Sequence, residues 1–129
     1  MGFDKILMID DETFINAIQT ASVKEYFPDT EMMKFDFPEE AIRIIKEKNE
    51  NNEKLLIFLD LNMPVMSALD VLDEIDKINF NQPPVIFILT FSKDPTERAA
   101  AAKHPYVKAL LMKPINKEKV KGILDLLEM

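Results

Sequence analysis

Five polar residues directly follow apolar runs in this chain: Asp10 and Asp11 after Lys5 to Ile9, Asp60 after Leu55 to Leu59, Thr90 after Val85 to Leu89, and Lys113 after Lys108 to Met112. Carboxylates that repel one another at short range call for a cation among them, and a hard divalent ion with oxygen ligands answers that need. Mg²⁺ fits best, because it takes one or two carboxylates, keeps waters and shares the remaining positions with a phosphate. Asp11, Asp60 and one backbone carbonyl near Asn62 suffice for it, with Asp10 holding a metal-bound water. Lys113 then neutralises one phosphoryl oxygen as a point charge, and the Thr90 hydroxyl donates a hydrogen bond to a second. Asp60 is the nucleophile of such a set, since carboxylates form acyl phosphates. An Asp-Asp pair alone is more often a solvated turn or a helix cap. The reading is carried by joint placement, because four separate chain segments bring the residue types that one reaction requires.

For these residues to meet, the runs that precede them must lie side by side. Five runs read as strands, at Lys5 to Ile9, Glu31 to Asp36, Leu55 to Leu59, Val85 to Leu89 and Lys108 to Met112, and most are apolar without alternation. That is the pattern of parallel strands covered on both faces. Helical spacing fills the gaps, over about Thr13 to Tyr26, Pro38 to Glu50, Met66 to Ile78 and Asp94 to Lys103, with a last helix whose Val120, Ile123, Leu124 and Leu127 form one apolar stripe. Asp94-Pro95 matches an N-cap followed by the first helical position, the other prolines fall at junctions, and polar Asn49 to Lys54 reads as a loop. Met8, Met33 and Met112 fall inside strands and are read as core, whereas His104 is read as a surface residue without a partner. Strand and helix alternating five times predicts a doubly wound α/β fold, a five-stranded parallel sheet with five helices on its two faces, and the order 2-1-3-4-5 leads the candidates. In that fold a ligand sits at the carboxyl ends of the strands, where the order reverses.

Composition narrows the function further. The 129 residues fit one domain spanning 1–129, with no room for a separate output module. Sixteen Lys and Arg against 23 Asp and Glu give a net charge of -7, which repels nucleic-acid backbones and anionic headgroups, so direct nucleic-acid and membrane binding are not expected. No apolar run approaches the roughly 18 residues of a spanning helix, and Met1 to Lys5 lacks the pattern of a secretion signal. With no cysteine, there are no disulfides or thiolate sites, which suits a cytoplasmic protein. The only glycines, Gly2 and Gly122, lie near the ends, so neither Gly-rich nucleotide loop can be written.

Four stretches taken together, Ile6-Leu7-Met8-Ile9-Asp10-Asp11-Glu12, Leu59-Asp60-Leu61-Asn62-Met63-Pro64, Ile88-Leu89-Thr90 and Met112-Lys113-Pro114-Ile115, resemble the receiver domain of two-component response regulators, the CheY-like family, over essentially the whole chain. The resemblance implies that Asp60 takes a phosphoryl group from a sensor histidine kinase or a phosphotransfer protein. It also implies that Asp10, Asp11 and the Asn62 backbone hold Mg²⁺, that Thr90 and Lys113 read the phosphate, and that the Lys113-Pro114 bond is cis. The phosphorylated state is then read by a downstream protein through the fourth helix, fifth strand and fifth helix. Phosphate turnover is self-directed, so the chain is not counted as an enzyme.

Three positions depart from the family pattern. Ser67-Ala68 stands where Asp-Gly is usual, Phe91 where a small residue follows the threonine, and Leu110 where an aromatic residue often couples to the output face; Tyr106 is near but not aligned. The Phe91 ring is expected to slow access of phosphodonors or of attacking water. Two other readings compete. A haloacid-dehalogenase-like phosphatase needs a second Asp two residues after the nucleophile as general acid, and an amide, Asn62, stands there. A non-phosphorylated scaffold of the same fold draws support only from Phe91 and Leu110.

Overall fold

The computed structural model describes residues 2–128, so Met1 and Met129, the ends of the expected domain, lie outside it. The elements alternate as β1 (Lys5–Ile9), α1 (Thr13–Lys24), β2 (Glu31–Phe35), α2 (Pro38–Glu50), β3 (Leu55–Asp60), α3 (Ala68–Asp76), β4 (Val85–Thr90), α4 (Pro95–Ala102), β5 (Val107–Met112) and α5 (Lys117–Leu127). All strand pairs are parallel and the sheet order is β2-β1-β3-β4-β5, as the alternation predicted. It is the CheY-like, flavodoxin-like doubly wound fold. No helix among the described residues is long and apolar enough to cross a membrane.

Burial explains why the strands read as unbroken apolar runs. Every residue of the central β3 is buried, whereas the edge strands β2 and β5 are largely half-exposed. Side chains alternate between two cores, as strand geometry requires. Leu7, Ile9, Ile57, Leu59, Ile86 and Ile88 pack with α2 and α3, and Ile6, Met8, Leu56, Phe58, Phe87 and Leu89 pack with α1 and α5. Phe58 and Phe87 stack with centroids 5.6 Å apart across neighbouring strands.

Several local expectations are corrected. Helix α3 begins at Ala68 rather than Met66, because Ser67 caps it: the Ser67 hydroxyl accepts the Asp70 amide at 3.3 Å while the Asp70 carboxylate accepts the Ser67 amide at 3.1 Å. The Ser67 of the unusual Ser67-Ala68 pair thus forms a reciprocal capping box with Asp70. Asp94 caps α4 as expected, accepting from the Thr96 amide at 2.9 Å. His104 is not an unpartnered surface residue. Its side chain is only 9% exposed, Nδ1 accepts the Tyr106 amide at 3.1 Å, and Nε2 lies 2.6 Å from Asp76 Oδ1. The accepting Nδ1 leaves Nε2 to donate to Asp76, tying the end of α3 to the turn before β5. Met8 is core on the α1–α5 side and Met33 is partly buried against the core on the α2–α3 side, but Met112 is half-buried and takes a contact from Arg98 Nη1 at 3.2 Å.

Candidate functional site

The sheet register sets the site. Ile9 pairs with Leu59, so Asp10 and Asp60, each one residue on, come side by side at the carboxyl end of β1 and β3. Thr90 pairs with Met112, which brings Lys113 level with the end of β4, and the Lys113 amide donates to the Thr90 carbonyl at 2.9 Å. A register shift near Ile86 and Phe87 advances β5 by one residue against β4, skipping Lys108, and so sets that alignment. Asp60 and Thr90 are the last residues of their strands rather than the first residues beyond them.

Burial is unusual for such polar groups: Asp10, Asp60, Thr90 and Lys113 are all buried. Buried charges persist only when paired, and here one ammonium serves three carboxylates. Lys113 Nζ lies 2.8 Å from Asp10 Oδ2, 3.1 Å from Glu12 Oε1 and 3.4 Å from Asp60 Oδ1. The peptide bond after it, Lys113-Pro114, is cis, as the resemblance implied.

One positive charge does not balance this set, and the deficit falls on Asp60. Burial above all, and then the neighbouring charge of Asp10, push its carboxyl from 3.8 up to about 7, against the opposing charge and hydrogen bond of Lys113. Burial works to lower the Lys113 ammonium, but hydrogen bonds to Asp10 and Glu12 and the charges of Asp60 and Asp10 hold it above its ordinary value. Two buried carboxylate oxygens, Asp11 Oδ1 and Asp60 Oδ2, have no hydrogen-bond partner among the described residues. Orphaned acceptors in an acidic pocket are the signature of a cation site. Carboxylate oxygens of Asp10, Glu12 and Asp60 also lie within 4.8 Å of one another.

Sequence reasoning therefore found the residues that meet but missed three that surround them. Glu12 shares Lys113, although its place in the run Asp10-Asp11-Glu12 was a visible signal. Asn16 and Gln19 face the pocket from α1, both buried, at positions where an amphipathic helix ordinarily carries apolar residues. Asn62 sits exposed in the β3–α3 loop. Thr90 Oγ1 accepts the Ser92 amide at 2.8 Å, and the half-exposed Phe91 ring centroid lies 4.9 Å from Lys113 Nζ, which makes Phe91 a partial cover over the ammonium. Leu110 packs into the core on the α2–α3 side. Tyr106 packs instead against Phe80 and His104, at the far end of β5 from the site.

Comparison with known proteins agrees with this geometry. The family of response regulator receiver domains matches residues 6–125. No sequence among the curated proteins matches the chain. Among solved structures, a two-component response regulator from Cytophaga hutchinsonii superposes with a TM-score of 0.83 over 100% of both chains at 22% identity. A receiver domain protein from Clostridium thermocellum gives 0.70 over 98% of this chain and 95% of its own at 27% identity. A CheY-like receiver domain protein from Methanospirillum hungatei gives 0.74 over 98% of each at 23% identity.

Proposed function

The chain belongs to the family of response regulator receiver domains, and from that premise we propose that Asp60 accepts a phosphoryl group from a sensor histidine kinase or a phosphotransfer protein and that the phosphorylated state changes binding to a downstream protein. The observation that carries the reading is the buried, charge-deficient pocket, with Lys113 bridging Asp10 and Asp60 and two orphaned oxygens on Asp11 and Asp60. In the transfer, a carboxylate oxygen of Asp60 attacks phosphorus; the new O–P bond forms as the donor's P–N bond breaks, and the departing imidazole keeps the electron pair and is protonated from solvent.

Asp10, Asp11, Asp60 and the Asn62 carbonyl hold Mg²⁺ in this reading, which when bound supplies positive charge against the phosphoryl oxygens. The protein's own groups do the remainder. Lys113 leaves its carboxylate partners for a phosphoryl oxygen, and the Thr90 hydroxyl donates to another. Phe91 limits how a donor or water reaches Asp60. The chain spends this chemistry on itself and turns over no separate substrate.

The coupling to a partner runs through the segment after β4. Thr90 accepts from Ser92, Ser92 donates to Glu97 at 2.9 Å, and Arg98 donates to the Ser92 carbonyl at 3.3 Å, so a shift of Thr90 is handed to α4. Helix α4 has eight residues and buries only Ala101, which leaves it loosely anchored and suited to move. The surface of α4, β5 and α5 is accordingly the proposed partner face, with cytosolic residence and no direct nucleic-acid or membrane contact as parts of the same proposal. The phosphatase reading has no general acid, because Asn62 follows Asp60 by two. Fluorine NMR with Mg²⁺ and beryllofluoride tests the proposal: bound fluoride resonances that need both the metal and Asp60 support it, and their absence from the folded chain overturns it.

A further inference from the structure

The carboxylate of Asp10 is gripped from behind by the side-chain amide of Gln19. Gln19 is fully buried on α1; its Nε2 donates to Asp10 Oδ2 at 3.3 Å, and its Oε1 accepts the Ile115 amide at 3.3 Å. A buried amide is costly unless both of its ends find partners. Gln19 finds them at two places that together set the spacing between Asp10 and the segment carrying Lys113, the second partner, Ile115, lying 96 residues from Gln19 along the chain. Oxygen Oδ1 of Asp10 accepts the Glu12 amide at 2.9 Å, and Oδ2 is shared between Gln19 and Lys113. The carboxylate therefore cannot rotate without giving up several bonds. One turn earlier on the same face, Asn16 Nδ2 donates to the Met8 carbonyl at 3.2 Å and lies 3.5 Å from the carbonyls of Asp10 and Phe35, which holds the backbone of the same strand end.

We propose that Gln19 is a positioning residue, which pins the Asp10 carboxylate and the Lys113–Ile115 segment to one another so that Lys113 bridges Asp10 and Asp60 instead of collapsing onto Asp10. The inference rests on the reading of the pocket as a Mg²⁺ and phosphoryl site. Without the Gln19 amide, the Oδ2 oxygen keeps Lys113 as its one strong donor and draws it away from Asp60. The Asp10 carboxylate also gains freedom beside the metal.

Gln19→Met, which keeps the volume and removes both hydrogen bonds, tests this in the full chain beside Gln19→Leu. Calorimetric Mg²⁺ affinity is expected to fall about tenfold, and the fluoride resonances of the beryllofluoride adduct to change, because they report the contact with Lys113. Both effects should shrink when Asp10 is already Asn, since Gln19 acts through it. A folded Gln19→Met chain with native affinity and native resonances overturns the inference, as does an effect of equal size in the Asp10→Asn background, which marks a purely structural role. If neither variant folds, the side-chain amide resonances of Gln19 in the native chain decide: they should move in step with a Mg²⁺ titration, and stationary resonances refute the proposal. A native chain that takes up neither Mg²⁺ nor beryllofluoride defeats the reading of the site and this inference with it.

Discussion

Lys113 Nζ bridges two carboxylates, approaching Asp10 Oδ2 at 2.8 Å and Asp60 Oδ1 at 3.4 Å, so the shorter contact goes to the neighbour of the phosphoacceptor. Asp60 keeps one oxygen without a partner among the described residues and a carboxyl raised to about 7. A group in that condition binds a proton, a cation or a phosphoryl group more readily than an ordinary surface carboxylate.

Mg²⁺ affinity should depend on pH. The metal binds the ionised carboxylate, and Asp60 holds a proton below about 7, so binding in that range must displace it. The dissociation constant is expected to rise by up to about tenfold per pH unit as pH falls below 7. Calorimetry at pH 6 and 8, in buffers of different ionisation heat, measures both the affinity and the proton released. An affinity unchanged across this range would contradict the raised carboxyl.

The metal-free chain should lose stability as pH rises. Between 3.8 and about 7 the folded protein holds a proton on Asp60 that the unfolded chain has released, so unfolding free energy falls through that window and stays low above it. Asp60→Asn removes the penalty. It should raise stability at pH 8 by an amount on the order of 1–2 kcal/mol, discounted for solvent screening, and the gain should vanish near pH 4. Urea titrations at the two pH values check the sign.

Phe91→Ala should open the site. The ring covers the Lys113 ammonium from 4.9 Å, a contact worth about 0.5–1 kcal/mol. Its removal should speed phosphorylation by a small donor, and hydrolysis of the product, by roughly two- to fivefold. Equal rates for the two chains, measured by stopped kinetics with acetyl phosphate, would remove Phe91 from the account.

Ser67→Ala should act on stability alone. The reciprocal cap with Asp70 begins α3, and its loss should cost about 1 kcal/mol. Phosphorylation kinetics should stay unchanged, because neither residue touches the pocket. A thermal melt and a phosphorylation assay on the same preparation separate the two effects.

The central strands and three of their terminal polar residues were legible in the sequence for one physical reason: a parallel strand covered on both faces admits few polar side chains, so Asp10, Asp60 and Thr90 stand out where each run ends, while Lys113 follows the edge strand β5 and is marked less sharply. Element ends were less legible, since Asp60 and Thr90 still pair within the sheet and Ser67 displaces the start of α3. Gln19 and Asn16 were hidden because a polar residue on a helix reads as solvent-facing until its buried partner, the Asp10 carboxylate for Gln19 and the Met8 carbonyl for Asn16, is known to lie beneath it. His104 was misread for a related reason, as its partners Asp76 and Tyr106 are assigned only by tertiary contact.

The most direct test of Asp60 as phosphoacceptor is intact-protein mass after incubation with acetyl phosphate and Mg²⁺, followed by peptide mapping. The account predicts one added phosphoryl group, mapped to the peptide holding Asp60 and lost when Mg²⁺ is chelated beforehand or when Asp60 is replaced by Asn. A phosphoryl group that persists in the Asp60→Asn chain, or a native chain that stays unmodified while folded and supplied with metal, would contradict it.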